Sequence, residues 1–171
     1  LVNDEHGTGL RFHTLLSTAE YEGLDFENGD KTGTLIIPEI RYDGELTLED
    51  LEKESKYRPQ NIDTTDVWVA TVDKDGKRVM KSTAYLYNIP EMAYGAKYVA
   101  RSYIQYADGS VAYAYTDENR WVSMTDVANT ITADETKTEL VKAQVASYIV
   151  RETKVTYDMP SGKVTETLPY G

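Results

Sequence analysis

The sequence predicts an α+β fold that is mostly β: an antiparallel, sandwich-like core with short helices and one longer helix in the C-terminal region. Three observations lead there. The composition favours strands, with 14 Tyr, only 2 Phe, 40% apolar residues and many Thr and Val. Short alternating runs are separated by turns rich in Gly, Pro and Asp, the spacing of antiparallel sheets. One stretch, 134–148, carries its apolar residues at helical spacing instead. At 171 residues the chain makes one medium domain or two small ones, and it buries a real core without cross-links.

Thr8 to Leu16 alternates, with Leu10, Phe12 and Thr14 on one face, and reads as a strand. Ser17 or Thr18 then caps a single helical turn through Glu20 and Tyr21, ended by Gly23. Thr32 to Ile37 is an apolar run stopped by Pro38, as suits a buried strand. In Gly44 to Ser55, Thr47 is placed to cap a short helix or turn, with Asp50 at the reciprocating position three residues on. Lys56 to Thr65 is polar and interrupted by Pro59, so it reads as a loop.

Val67 to Val72 is a strand, Asp73-Lys74-Asp75-Gly76 a hairpin turn, and Lys77 to Ile89 the returning strand before Pro90. Lys97 to Tyr106 is the clearest strand of all. Asp108-Gly109 turns it into Ser110 to Thr116. Trp121 to Met124 reads as a short strand, followed by a turn capped by Thr125 or Asp126. Asp134 to Tyr148 is the expected long helix, capped by Thr132 or Asp134, with Val141, Val145 and Tyr148 in one stripe joined by Leu140. Ile149 to Tyr157 alternates Val and Thr with charges, and Pro160-Ser161-Gly162 turns the chain into Lys163 to Leu168. Residues 1–130 read as one β-rich module. Residues 131–171 read as a helix and hairpin that complete it or link it to a neighbour.

Charge excludes whole classes of partner. With 18 Lys+Arg against 29 Asp+Glu, the net charge is −11, and neither a nucleic-acid backbone nor an anionic membrane finds a basic footprint. No run approaches the roughly 18 apolar residues of a membrane span. Cysteine is absent, which removes disulfides, thiolate metal sites and cysteine nucleophiles. A cysteine-free, acidic chain rich in Thr and Tyr fits a cytosolic protein or a secreted protein of a Gram-positive bacterium, and the expectation is the second. A start at Leu1 without a leader reads as a processed product or an excised fragment.

Chemistry is sparse. His6 lies in a polar N-terminal stretch and His13 beside Phe12, and no third ligand is spaced to make a metal site with them. Gly7-Thr8-Gly9 lacks the rest of a phosphate-binding pattern. Asp73-x-Asp75-Gly76 opens like a calcium loop, but Ala84 stands where the bidentate Glu belongs, so it reads as a hairpin tip. No cofactor or metal is expected. A glycosidase needs two carboxylates across a cleft. Glu20, Glu22, Asp25, Glu49, Glu52, Asp63 and Asp66 are available, most of them in turns where solvated acids are the rule.

The tyrosines say more. On 97–106, Tyr98, Ala100, Ser102, Ile104 and Tyr106 share the smaller, more apolar face and are placed inward, which turns Val99, Arg101, Tyr103 and Gln105 outward. Tyr85 with Tyr87, and Tyr113 with Tyr115, each share a face of a neighbouring strand. Tyr85, Tyr87, Arg101, Tyr103 and Tyr113 are therefore the candidate ligand-binding residues, an aromatic shelf of the kind that sugars and protein partners use. The competing explanation is cross-strand packing. Trp68 and Trp121 read as core or core-edge residues.

Four segments carry a resemblance: Gly9-Leu10-Arg11-Phe12; Gly33 to Pro38 with Gly44-Glu45-Leu46-Thr47; Tyr98 to Tyr106 with Asp108-Gly109; and Val122 to Ala128. In this order they resemble a β-rich accessory module that recurs in large secreted or surface proteins of anaerobic Firmicutes. Such modules sit beside immunoglobulin-like, dockerin or glycan-active domains. Their third segment usually carries Ala where Ser102 stands, and their fourth an Arg where Trp121-Val122 stands. The resemblance covers about residues 8–130 and implies location and architecture but no catalytic set. It pairs Arg101 with Tyr103, and an arginine satisfied by backbone carbonyls or an acid is the preferred account of that pair. The expectation is a non-catalytic extracellular module of a larger bacterial surface or cellulosome-type protein, binding a glycan or a protein or acting as a spacer. A carbohydrate-binding module with a tyrosine platform and, less favoured, a glycosidase domain are the alternatives.

Overall fold

The computed structural model describes residues 1–116, 118–149, 151–159 and 162–170, with the backbone alone for 119 and 151–170. Two four-stranded antiparallel sheets carry the fold. The first has the order β1 (Val2–Asp4), β2 (Gly7–Ser17), β6 (Arg78–Leu86), β5 (Val69–Val72). The second has the order β4 (Gln60–Asp63), β3 (Lys31–Pro38), β7 (Tyr98–Gln105), β8 (Val111–Tyr113). Three α-helices, α1 (Thr18–Glu22), α2 (Met124–Ala133) and α3 (Glu139–Val145), are joined by short 3-10 turns. A two-stranded ribbon, β9 (Arg151–Met159) with β10 (Gly162–Tyr170), follows. The turn residues Pro160 and Ser161 expected there lie outside the described residues. The mostly-β, sandwich-like α+β class expected from the sequence is the class observed.

The sheets pack through the face that alternation assigns. Leu10 and Phe12 of β2 and Ala84 and Leu86 of β6 meet Ile36 of β3, Ala100 of β7 and Ile62 of β4. Ile89, Met124 and Ala128, with Val145 and Tyr148, join that cluster. Each fully buried aliphatic side chain contributes roughly 1.5–3 kcal/mol. The expected turn of helix after β2 is present. Ser17 accepts from Glu20 N at 3.1 Å while Glu20 accepts from Ser17 N at 2.9 Å. Thr47 and Asp50 form the same reciprocal box before a 3-10 turn, Leu48–Glu52.

A second cluster covers the other face of the second sheet. Leu35, Ile37, Leu46, Val99 and Tyr103 are buried there, with Tyr42, Leu48, Leu51, Tyr113 and Trp121 packed against them. The segment after β3 thus folds over the sheet, and β3 is enclosed on both faces from Thr32 to Ile37. This overturns the outward face expected for β7, while Ala100, Ser102 and Ile104 keep their inward place. Val99 is fully buried and Tyr103 only 7% exposed, whereas Tyr106, placed inward by alternation, is 37% exposed. Period-two reading assigns one wet face and one dry face, and it fails for a strand with a core on each side.

Three further expectations are corrected. The loop 56–65 contains β4, an edge strand whose polar Gln60, Asn61 and Asp63 hide the pattern. The strand at 121–124 reduces to an isolated bridge between Tyr98 and Val122, and Met124 already begins α2, capped by Ser123 with Asp126. The long helix 134–148 is not continuous. Asp134 spends its carboxylate on Thr136, accepting from the backbone N at 2.9 Å and the hydroxyl at 2.6 Å. That local turn competes with helix, and α3 starts only after Thr138, whose hydroxyl accepts from Val141 N at 3.3 Å. Val145 and Tyr148 are buried as the stripe requires, but Leu140 is 70% exposed. The helix α2 runs across position 130, where the two expected segments meet.

Candidate functional site

The five expected ligand-binding residues lie on two different faces. Tyr85 and Tyr87 project from β6 and the residue just beyond its end, on the side opposite the buried Ala84 and Leu86. Their rings are parallel, 4° apart with centroids at 5.5 Å, an offset stack in which each ring covers part of the other. His6 tilts against Tyr87 at 5.9 Å, and the Tyr87 hydroxyl donates to Asp4 Oδ2 at 3.0 Å. Partial desolvation first, then that acid, raises the Tyr87 pKa. Arg11 stands opposite Tyr85 on β2. Tyr85, 39% exposed, is the open member of the stack.

Arg101, Tyr103 and Tyr113 sit on the covered face of the second sheet and serve its packing. The half-buried Arg101 donates from Nε to Ala114 O at 2.6 Å and from Nη1 to Leu46 O at 3.0 Å. Its guanidinium lies 4.5 Å from the Tyr113 ring centroid. Those carbonyls are what the preferred account of the Arg101–Tyr103 pair called for. The Tyr113 hydroxyl accepts from Leu48 N at 2.9 Å. Tyr103 stands opposite Gly33 in the β3–β7 register, and its hydroxyl donates to Asn61 Oδ1 of β4 at 2.8 Å. The ring crosses β3 where there is no side chain. A Cβ on Gly33 would come within 2.6 Å of Tyr103 Cζ. Burial raises the Tyr103 pKa.

The space that offers itself to a ligand lies elsewhere, between the sheets. A cavity of about 220 Å³ is lined by Thr14, Leu15 and Leu16 of β2, Ser82 of β6, Thr32 and Gly33 of β3, Ser102, Tyr103 and Ile104 of β7, Ala112 to Ala114 at β8, and Thr64 and Trp68. At this level the inward positions carry hydroxyls. Thr14 Oγ1 and Ser102 Oγ are 2.5 Å apart, and Thr34 Oγ1 lies 3.2 Å from the same Ser102 oxygen. Thr32 Oγ1 accepts from Trp68 Nε1 at 2.9 Å and pairs with Thr64 Oγ1 at 2.9 Å. Leu15, Ala112 and Ala114 are exposed at the rim. All fourteen lining residues are uncharged at neutral pH.

The carboxylates do not converge on this space. Glu20 and Asp25 cap helical turns, and Asp63 accepts from Thr65 N at 2.8 Å, a bond that holds its pKa down. Asp73 Oδ1 accepts from Asp75 N and Lys77 N, the bonds of a hairpin tip. Among the described residues no group of three or more His, Cys, Asp or Glu is placed to hold a metal ion, and no helix is long and apolar enough to cross a membrane.

No family model, curated protein or solved structure matches the chain. The four segments of the sequence resemblance fall on β2, on β3 and the cover that follows it, on β7 and at the start of α2. Leu10, Leu35, Ile36, Leu46, Val99 and Met124 within them are almost wholly buried, so in this chain those segments serve packing. The cavity hydroxyls were missed, although a signal existed: Thr14 and Ser102 are polar members of faces that alternation turns inward.

Proposed function

We propose that this chain is a non-catalytic binding module of a larger secreted or surface protein of a Gram-positive bacterium. The observation that carries the reading is the neutral lining of the inter-sheet cavity. Hydrolysis or group transfer in that space would need an acid, a base or an activated nucleophile within hydrogen-bond reach. Among the described residues, the Thr14 and Ser102 hydroxyls there have only one another and Thr34 as partners. Apolar walls with a few fixed hydroxyls bind and orient a molecule without transforming it. The neighbouring-module setting rests on the sequence resemblance.

A carbohydrate platform at Tyr85 and Tyr87 is the second reading, favoured by the open ring of Tyr85 beside Arg11. The rings stack instead of lying side by side, so the platform is one ring wide. A glycan array and a panel of small neutral ligands, both run on the whole chain, test the two readings together. Binding in either, with no turnover of the bound molecule, is the expected outcome. Turnover would overturn the reading. A glycan signal abolished by Tyr85→Ala, at unchanged melting temperature, would place the ligand on the outer face.

A further inference from the structure

We propose that the inter-sheet cavity is a site for a neutral amphipathic molecule about the size of one substituted six-membered ring, with a single hydrogen-bonding group. This deepens the binding-module reading and rests on it. Size comes first. An apolar cavity of roughly 150 Å³ admits benzene, and the space here is about 220 Å³, enough for a ring and one or two further heavy atoms. A disaccharide or a folded peptide segment does not fit.

Charge comes second. Every lining residue is neutral, so an ion would leave its hydration without meeting a counter-charge. Polarity comes third. Trp68 Nε1 is committed to Thr32, and Thr14, Thr34 and Ser102 are committed to one another. Ser82 differs. It is 1% exposed and lines the cavity, and no hydrogen bond among the described residues engages its hydroxyl. That hydroxyl opens onto the cavity with its hydrogen-bonding capacity unused by the chain, and a ligand hydroxyl or carbonyl beside it can take it up. Leu16, Ile104 and the Trp68 ring supply apolar wall for the rest of the molecule. The exposed Leu15, Ala112 and Ala114 mark the side from which it enters. A polyhydroxylated sugar would bring more polar groups than this wall can satisfy.

The test uses the whole chain and four probes: p-cresol, cyclohexanol, benzoate and glucose. Amide spectra are followed during each titration. We expect p-cresol and cyclohexanol to shift the amides of Leu15, Leu16, Ser82 and Ile104 saturably, and benzoate and glucose to leave them in place. Ser82→Leu fills the space and should weaken p-cresol by about tenfold or more, with Ser82→Ala giving a smaller loss confined to the hydrogen bond. Should Ser82→Leu fail to fold, Ser82→Ala carries the decision. Absence of saturable shifts with p-cresol and cyclohexanol would mean the space holds only water and would overturn the proposal. So would equal shifts with benzoate, or p-cresol affinity unchanged in both variants. A glycan signal that depends on Tyr85, found together with a silent cavity, would remove this site and leave the binding module standing. Silence in every assay would remove both.

Discussion

The two levels of the sandwich interior are built from different side chains. Where α2 and α3 meet the sheets, Leu10, Ile36, Leu86, Met124 and Tyr148 fill the gap with large apolar groups. Farther along the same four central strands, the inward positions are Thr14, Thr32, Thr34, Ser82 and Ser102. The first set excludes water and holds the sheets together. The second set is too small to fill the same spacing and leaves a hollow. Stability and binding capacity are thereby placed in separate parts of one core, so either can change with little effect on the other.

The largest test of that division is a deletion at the filled level. Met124, fully buried under both sheets, should cost about 2–5 kcal/mol when replaced by Ala, read as a lower urea midpoint. A cost below about 1 kcal/mol would break the comparison, since the helix-covered level would then be as loosely packed as the other. Next comes Gly33→Ala. The added methyl meets the Tyr103 ring, and overpacking of this kind costs roughly 1–3 kcal/mol. Pairing it with Tyr103→Phe removes the hydroxyl but leaves Cζ and Cε1 in the way and should relieve little of the loss, whereas Tyr103→Leu should recover more of it.

Ser123→Ala follows. It removes the hydroxyl that accepts from Asp126 N at 3.0 Å at the start of α2, worth about 1 kcal/mol. Ser82→Ala, at the hollow level, should change stability by less than about 1 kcal/mol because no hydrogen bond is lost with it. A loss as large as that of Met124→Ala would show that the hydroxyl level is structural after all.

The smallest effect is a pH slope. Desolvation, then Lys81 and Arg11, lowers the pKa of His13 below its ordinary value of 6.5. The unfolded chain therefore takes up the proton first as pH falls. Stability from this group is complete above pH 6.5 and declines as pH drops through the interval down to the lowered folded value. His13→Gln should flatten the melting temperature across that interval. An undiminished slope in the variant would assign it to other groups.

What could be read from the sequence was local. The cap expected at Ser17 or Thr18 forms at Ser17, and the reciprocal pair Thr47 with Asp50 closes as its spacing implies. The strands β2, β3, β6 and β7 announce themselves because apolar runs are bounded by turns. The burial of the second face of β7 was not readable, since the segment covering it comes from residues distant in sequence, including Leu46 and Leu48. Asp134 was misread for a related reason: the same carboxylate can cap a helix or close a turn on Thr136, and a run with Thr at 132, 136 and 138 favours the turn. The hollow depends on the spacing between two sheets, which no single strand encodes.

The ring of Tyr103 lying across Gly33 also bears on how the chain finds its partner strands. If β7 slipped by two positions along β3, Tyr103 would face Lys31 or Leu35 in place of Gly33. Toward Leu35 the ring would strike a buried side chain, and toward Lys31 it would lose the reach to Asn61. A mispaired sheet is thus penalised at its centre, which works against the alternative alignments from which tangled or aggregated chains grow.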